Sequence, residues 1–279
     1  MRAAVLGSPV AHSLSPALHT AAYAELGLAQ TWRYDRFDCD EAFLPGFLKG
    51  CDDSWAGLSL TMPLKRAALD LADEADRSAQ EVGAANTLVF RSGRRHAYNT
   101  DVHGIEAALR EAGIDRVRSA AVLGGGATAA SAVAALRGLE ATAAGAITVL
   151  ARNPARAAGV VAAAERMALP IATAPLERIE RYLDVDLVVS TLPAGAADPY
   201  AAVVAQSGAA LFDVVYSPWP TAIATAVAAM GQPVVSGFAM LLHQAGAQVE
   251  LMTGVEKAPI EAMRAAGAAE LRRRFGDRE

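Results

Sequence analysis

The string Leu60-Thr61-Met62-Pro63-Leu64-Lys65 holds one of only three lysines among the 25 basic residues of the chain. Arginine cannot give up its proton near neutral pH, whereas a lysine shifted by burial or by neighbours can act as an acid or a base. Lys65 is therefore a candidate proton donor, with a solvated lysine opening a helix as the plainer reading. Upstream, Ser13 and Ser15 stand two residues apart before Pro16. Ser15 reads as a helix N-cap followed by proline at the first helical position, which leaves Ser13 without a structural task. Two hydroxyls at a helix N-terminus would make a cradle for a carboxylate. Asn86, in Gly83-Ala84-Ala85-Asn86-Thr87, and Asp101, after Tyr98-Asn99-Thr100, add an amide and a carboxylate. Asp101 also reads as the N-cap of the following helix.

A second constellation begins at residue 120. The apolar run Ala120-Ala121-Val122-Leu123 leads into Gly124-Gly125-Gly126-Ala127-Thr128-Ala129, with G-x-G-x-x-A spacing at Gly124, Gly126 and Ala129. Glycines there let the backbone turn tightly and approach a pyrophosphate, which then lies at the positive end of a helix. A strand over 146–150 completes a βαβ unit, and 186–190 and 210–215 read as further parallel strands. A dinucleotide site is the favoured reading; a nucleotide-free or S-adenosylmethionine Rossmann domain is the alternative.

The end of the second strand discriminates between dinucleotides. An NAD site usually carries an acidic residue there, but this chain has Ala151-Arg152-Asn153-Pro154-Ala155-Arg156. Asn153 and Pro154 form an N-cap and first-position pair. Arg152 and Arg156 beside a helix N-terminus are electrostatically unfavourable unless an anion is near, and a 2′-phosphate would be that anion. NADP is favoured over two merely solvent-facing arginines.

These residues need elements to hold them. Periodicity predicts strands over 3–6, 31–37 and 57–60, helices over 16–26, 42–49 and 65–72, and a hairpin of 87–90 with 96–99 around Ser92-Gly93. A helix over 102–112 follows, capped by Asp101 and ended by Gly113, and 239–252 and 260–275 are helix-like. The fold class is α/β, in two domains: an N-terminal unit with a mixed sheet, and a Rossmann-type, doubly wound parallel sheet.

Composition narrows the partners. The chain has 279 residues, 53% of them hydrophobic, and a net charge of −5 spread without blocks. That argues for a small-molecule partner and against nucleic acid or an anionic membrane. Cys39 and Cys51 have no CxxC spacing, so no zinc or redox motif is expected and a reducing cytoplasm fits. The first residues carry too short an apolar run for a signal peptide, and no span of about 18 apolar residues occurs. None of His12, His19, His96, His103 and His243 forms a ligand cluster, and no metal is expected.

The ordered set resembles the shikimate dehydrogenase family. The likeness rests on His12-Ser13-x-Ser15-Pro16, Thr61-x-Pro63-x-Lys65, Gly83-Ala84-x-Asn86-Thr87 and Asn99-Thr100-Asp101 with Gly104. It continues through the glycine loop, Asp213-Val214-Val215-Tyr216-Ser217-Pro218 with Thr221, and Gly237-Phe238-Ala239-Met240-Leu241 with Gln244-Ala245. The resemblance implies NADP-dependent reduction of 3-dehydroshikimate to shikimate, in the pathway to chorismate and the aromatic amino acids. It implies that Ser13 and Ser15 hold the substrate carboxylate and that Thr61, Asn86, Asp101, Tyr216 and Gln244 contact ring hydroxyls. Lys65 and Asp101 would be the catalytic pair. Gly124, Gly125, Gly126, Ala127 and Thr128 would bind the pyrophosphate, Arg152, Asn153 and Arg156 the 2′-phosphate side, and Val214 and Gly237 would border the nicotinamide. It further implies a discontinuous substrate domain, 1–101 with 238–279, around an NADP domain at 102–237, in a monomer or homodimer.

Three positions depart from the family pattern. Ser59 replaces a common asparagine, Ala151 replaces an asparagine before the arginine, and Ser190-Thr191-Leu192-Pro193-Ala194-Gly195 differs from the usual loop. Two rivals stay open: a quinate/shikimate dehydrogenase using NAD, and a non-catalytic NADP-responsive binding protein on the same fold. Ser15 and Arg152 speak against the first, Lys65 and Asp101 against the second.

Overall fold

Strands buried along their whole length alternate in this chain with strands that show one face to water. Trp55–Leu60, Ala120–Leu123, Ile147–Ala151 and Leu187–Ser190 are buried at every residue, the pattern of strands covered on both faces. Arg33–Asp38 and Ile171–Pro175 carry exposed positions, as sheet edges do. Their places in the sheets agree with this. The structure, a computed structural model, describes residues 1–276.

One sheet contains β1 (Arg2–Gly7), β2 (Arg33–Asp38), β3 (Trp55–Leu60), β4 (Glu74–Ala75), β5 (Thr87–Arg91) and β6 (Arg94–Tyr98) in the order β2-β1-β3-β5-β6-β4. It is mixed: β1 runs parallel to β2 and β3, while β5 is antiparallel to β3 and to β6. The other sheet contains β7 (Ala120–Leu123), β8 (Ile147–Ala151), β9 (Ile171–Pro175), β10 (Leu187–Ser190), β11 (Ala210–Asp213) and β12 (Val234–Ser236). Its order is β12-β11-β10-β7-β8-β9, and every pair is parallel. Numbered from β7, this is the doubly wound dinucleotide order, with its switch point beside β7.

Helices connect the strands: α1 (Ser15–Glu25), α2 (Leu44–Lys49), α3 (Lys65–Asp70), α4 (Arg77–Val82), α5 (Thr100–Glu111), α6 (Ala127–Gly138), α7 (Ala158–Arg166), α8 (Ala201–Gln206), α9 (Ala222–Ala229), α10 (Gly237–Thr253) and α11 (Ile260–Phe275). The chain divides into two units, Met1–Thr100 with the chain from Leu242 onward, and Asp101–Leu241. The first owns the mixed sheet, and the second the parallel sheet. Leu6, Leu58, Leu64 and Leu88 lie in the core of the first; Leu123, Leu150, Val188 and Leu211 in that of the second. At about 25 cal/mol per Å² of apolar surface, each fully buried leucine contributes roughly 1.5–3 kcal/mol.

Two expectations about helix starts are corrected. α5 begins at Thr100, so Asp101 is a helical residue of the first turn and not the N-cap. The first free N–H is taken by a remote amide instead: Thr100 donates to Oδ1 of Asn86 at 2.9 Å. At α1 the N-cap residue is Leu14, and Ser15 is already helical. It is Ser13, the serine without an assigned task, whose Oγ accepts the Ser15 N–H at 3.2 Å. The short strands β4, β9 and β12 were not legible, since none has a clean alternation or a long apolar run.

Candidate active site

Lys65 is placed by the turn that follows β3. Thr61 donates its N–H to Leu6 of β1 at 2.9 Å, Leu64 donates to the Thr61 carbonyl at 2.8 Å, and Ser8 donates to that of Met62 at 2.9 Å. The turn is thus tied at two points to the end of β1 and the residue just past it, and Lys65 becomes the first residue of α3. Its carbonyl accepts from Ala85 at 2.7 Å, which joins α3 to the segment carrying Asn86. The Lys65 and Thr61 side chains are half-buried.

Asn86 is the node of this unit. Its Nδ2 donates to Thr100 Oγ1 at 2.9 Å and to Gln244 Oε1 at 3.2 Å, and its Oδ1 accepts from the Thr87 hydroxyl at 2.8 Å. Asn86, Thr100 and Gln244 are all buried. Because Thr100 is held at both its N–H and its hydroxyl, the residue that follows it, Asp101, leaves a fixed point. Asp101 is itself buried.

Beneath Asn86 lies a polar chain that the sequence reading did not anticipate. Gln248, one turn beyond Gln244 on α10, donates from Nε2 to the Asn86 carbonyl at 3.2 Å and to Thr87 Oγ1 at 2.9 Å. A carbonyl can only accept, so the Gln248 amide nitrogen faces Asn86 and Oε1 faces the other way. There it accepts from Ser59 Oγ at 2.7 Å, and Ser59 in turn accepts from the Tyr34 hydroxyl at 2.6 Å. Burial pushes the Tyr34 hydroxyl well above the usual phenol range. Ser59, the departure from the family pattern, is therefore the link between Tyr34 and Gln248. The sequence signal was present only as the i, i+4 spacing of Gln244 and Gln248.

In the second unit the glycine loop stands at the switch point after β7. Gly124 has φ +121°, and a Cβ there would overlap the Thr191 hydroxyl. Thr191 Oγ1 donates to the Leu123 carbonyl at 2.8 Å, so the loop that departs from the family pattern packs directly on the glycine turn. Thr191 was not among the expected site residues. Gly126 caps α6 without any side-chain acceptor, leaving the first N–H groups of the helix for an anion. Ala127 and Thr128 are its first residues and are half-buried.

After β8, Asn153 Oδ1 accepts from Ala155 at 3.0 Å, and Pro154 opens a 3₁₀ turn that leads into α7. Arg152 and Arg156 flank this cap, both exposed, and neither pairs with a carboxylate among the described residues. At the far end of the same sheet, Gly237 packs on Val214: a Cβ on the glycine would overlap the Val214 carbonyl oxygen. Val214 donates to Ser190 at 3.0 Å, and Gly237 to Val215 at 3.2 Å. Asp213, buried and with its carboxyl raised by burial, accepts from Thr221 Oγ1 at 2.8 Å and from the Val215 N–H at 3.2 Å. Those bonds hold the 214–221 segment that carries Tyr216.

The expected residues therefore fall into two groups. Ser13, Ser15, Thr61, Lys65, Asn86 and Gln244 belong to the first unit; Asp101, Tyr216, Val214, Gly237 and the loop residues 124–128 and 152–156 belong to the second. Asn86 touches Gln244, and Val214 touches Gly237. No helix of the described residues is long and apolar enough to cross a membrane.

Comparison with known proteins identifies a family, and the two family models match segments that lie mainly in the first unit. Residues 5–88 match the shikimate dehydrogenase substrate binding domain, and residues 237–266 match the shikimate 5′-dehydrogenase C-terminal domain. The chain is 37% identical to a shikimate dehydrogenase (NADP(+)) of Methanopyrus kandleri, over 96% of this chain and 95% of the relative. An NADP(+) enzyme of the same name from Thermus thermophilus is 37% identical over 91% of this chain and 93% of its own. Among solved structures, Mycobacterium tuberculosis shikimate dehydrogenase is 44% identical, with a TM-score of 0.88, covering 96% of this chain and 99% of that one. The Thermus thermophilus shikimate 5-dehydrogenase in complex with NADP(H) and shikimate is 36% identical, with a TM-score of 0.82, over 96% and 99%.

Proposed function

The chain belongs to the shikimate dehydrogenase family, and on that premise we propose that it interconverts 3-dehydroshikimate and shikimate with NADP as redox partner. Its place is in the cytoplasmic route to chorismate and the aromatic amino acids. The residues of the second unit fit such a cofactor. A glycine turn that a side chain would obstruct, an uncapped helix start and two unpaired arginines together match a pyrophosphate and a 2′-phosphate. The absence of a ribose-binding carboxylate after β8 favours NADP over NAD.

NADPH, when bound, supplies the hydride that reduces the ring ketone. The chain's own residues supply the rest. Lys65 gives a proton to the ketone oxygen as negative charge develops there, and takes it back from the hydroxyl in the oxidative direction. Asp101 orients the ammonium and accepts from the same substrate hydroxyl. Ser13 and Ser15 hold the carboxylate, while Thr61, Asn86, Tyr216 and Gln244 select the ring hydroxyls. We assign substrate binding to residues 1–101 with 238–279, and NADP binding to 102–237. Gly124, Gly125, Gly126, Ala127 and Thr128 would take the pyrophosphate and Arg152 and Arg156 the 2′-phosphate, with Asn153 also at the cofactor, and Val214 and Gly237 would border the nicotinamide.

The observation that carries this reading is the 37% identity, over 96% of the chain, to an NADP(+) shikimate dehydrogenase, in a chain that carries Lys65, Asp101 and both arginines. The test is the absorbance of reduced cofactor with shikimate or quinate, each crossed with NADP or NAD. Turnover with shikimate and NADP is expected. Turnover with quinate and NAD alone would make it a quinate enzyme, and no turnover with any pair would make it a binding protein.

A further inference from the structure

The loop that carries Ser13 is held from outside by arginines at two distant points of the sequence. Arg274, in the last turn of α11, donates from Nη1 to the His12 carbonyl at 2.8 Å and from Nη2 to the Ser13 carbonyl at 3.3 Å. Arg36, on β2, donates from Nη1 to the Ala11 carbonyl at 2.7 Å. Three successive carbonyls are thus taken by two guanidinium groups. No backbone N–H of the described residues bonds to any of the three.

The fork of Arg274 is itself fixed. Its Nε donates to Glu270 Oε1 at 2.6 Å, and the two side chains are only 16% and 18% exposed. Arg273, and after it Arg274, hold the Glu270 carboxyl down at about 2, so the acceptor stays charged at any working pH. A planar guanidinium that spends one edge on a carboxylate and another on adjacent carbonyls is pre-organised in a way lysine cannot reproduce.

We propose that Arg274 is a positioning residue for the substrate carboxylate, acting through the backbone of His12 and Ser13. This rests on the functional reading above, in which Ser13 and Ser15 receive that carboxylate. A serine hydroxyl reaches only as far as its backbone places it, and Ser13 also accepts the Ser15 N–H. Fixing the two carbonyls therefore fixes the Ser13 hydroxyl and, through the Ser15 N–H, the start of the helix that carries Ser15. It also sets a guanidinium charge directly on the backbone of the loop that carries Ser13, where neither serine supplies a charge.

The test compares wild type with Arg274→Ala, Arg274→Lys and Arg36→Ala, using shikimate and its uncharged methyl ester. Steady-state rates give kcat and KM for shikimate and NADP, and calorimetry gives the Kd of acid and ester. For R274A the KM of shikimate rises about tenfold, the scale of one charge-assisted hydrogen bond. Its kcat stays within about twofold and the KM of NADP is unchanged. The preference for acid over ester falls by about the same tenfold, and R274K recovers only part of it because it restores charge without the fork. Equal losses for acid and ester, or an unchanged shikimate KM, would overturn the proposal. Should R274A not fold, R274K and R36A report the same acid-to-ester ratio. Wild-type protein inactive with shikimate and NADP would instead sink the functional reading itself.

Discussion

His19 Nε2 lies 3.3 Å from Oε1 of Gln248, and neither side chain reaches solvent. Since that oxygen is an acceptor, the network assigns the imidazole proton to Nε2. Nδ1 is then bare, and it has no partner. The ring stacks on Tyr34 with centroids 3.9 Å apart. Burial lowers the His19 pKa to about 3, and the bond to Gln248 opposes this only in part.

A pH dependence of stability follows. The unfolded chain binds a proton at this histidine below about 6.5 and the folded chain only below about 3, so between those values the unfolded state holds more protons. The neutral-ring stability is present in full above about pH 6.5 and is lost as pH falls through that window, by a few kcal/mol in order of magnitude. Denaturant midpoints from pH 7 to pH 4 should fall more steeply for wild type than for His19→Gln. Parallel curves would mean that His19 does not carry the effect.

Lys65→Ala should lower kcat by roughly 10²–10⁴-fold, the usual range for a lost general acid, with little change in the KM of NADP. Stopped-flow transients with deuterated cofactor would show whether the chemical step has slowed. Undiminished turnover would remove Lys65 from the reaction.

Arg152 and Arg156 have no carboxylate to lose, so their removal should spare the fold. Each change to alanine should raise the KM of NADP about tenfold and leave that of NAD alone, since a charge-assisted bond to phosphate is worth about 1.5–3 kcal/mol. Equal changes for both cofactors would place the arginines away from the 2′-phosphate.

Gly237→Ala puts a methyl group on the Val214 carbonyl, a backbone atom that cannot rotate away. Overpacking of this kind costs about 1–3 kcal/mol, and the shift should also reach Tyr216 through the 214–221 segment. A lower thermal midpoint together with a weaker NADP KM is expected. A midpoint equal to that of wild type would show that α10 can start elsewhere without loss.

Much of the fold was written in local pattern. The glycine turn after β7 and the Asn153–Pro154 cap depend on neighbours within a few residues, so their geometry could be read from spacing. α11 was expected over 260–275 and runs over Ile260–Phe275 for the same reason. Asp101 and Ser15 were misread as caps because a short polar residue before an apolar run looks alike whether its side chain or a distant one satisfies the helix. At α5 the partner was Asn86, 14 residues away. At α1 the acceptor was the nearby Ser13, whose hydroxyl the spacing rule had left idle.

The sequence by itself determined which chemistry was on offer: one of three lysines set behind a proline, two serines before a helix, a glycine turn, and arginines where an acid would bind ribose. Spacing suffices for these because residue type and local backbone set them. Only the tertiary structure decided which groups meet. Gln244 reaches Asn86 across 158 positions, Gln248 reaches Ser59 across 189, and Arg274 reaches the backbone of Ser13 across 261. Such bonds form when α10 and α11 pack with the mixed sheet and α1, and packing is decided by buried apolar surface, which carries no address for any single polar partner. Hence candidate site residues could be proposed from the chain, and the long-range bonds that hold them in place could not.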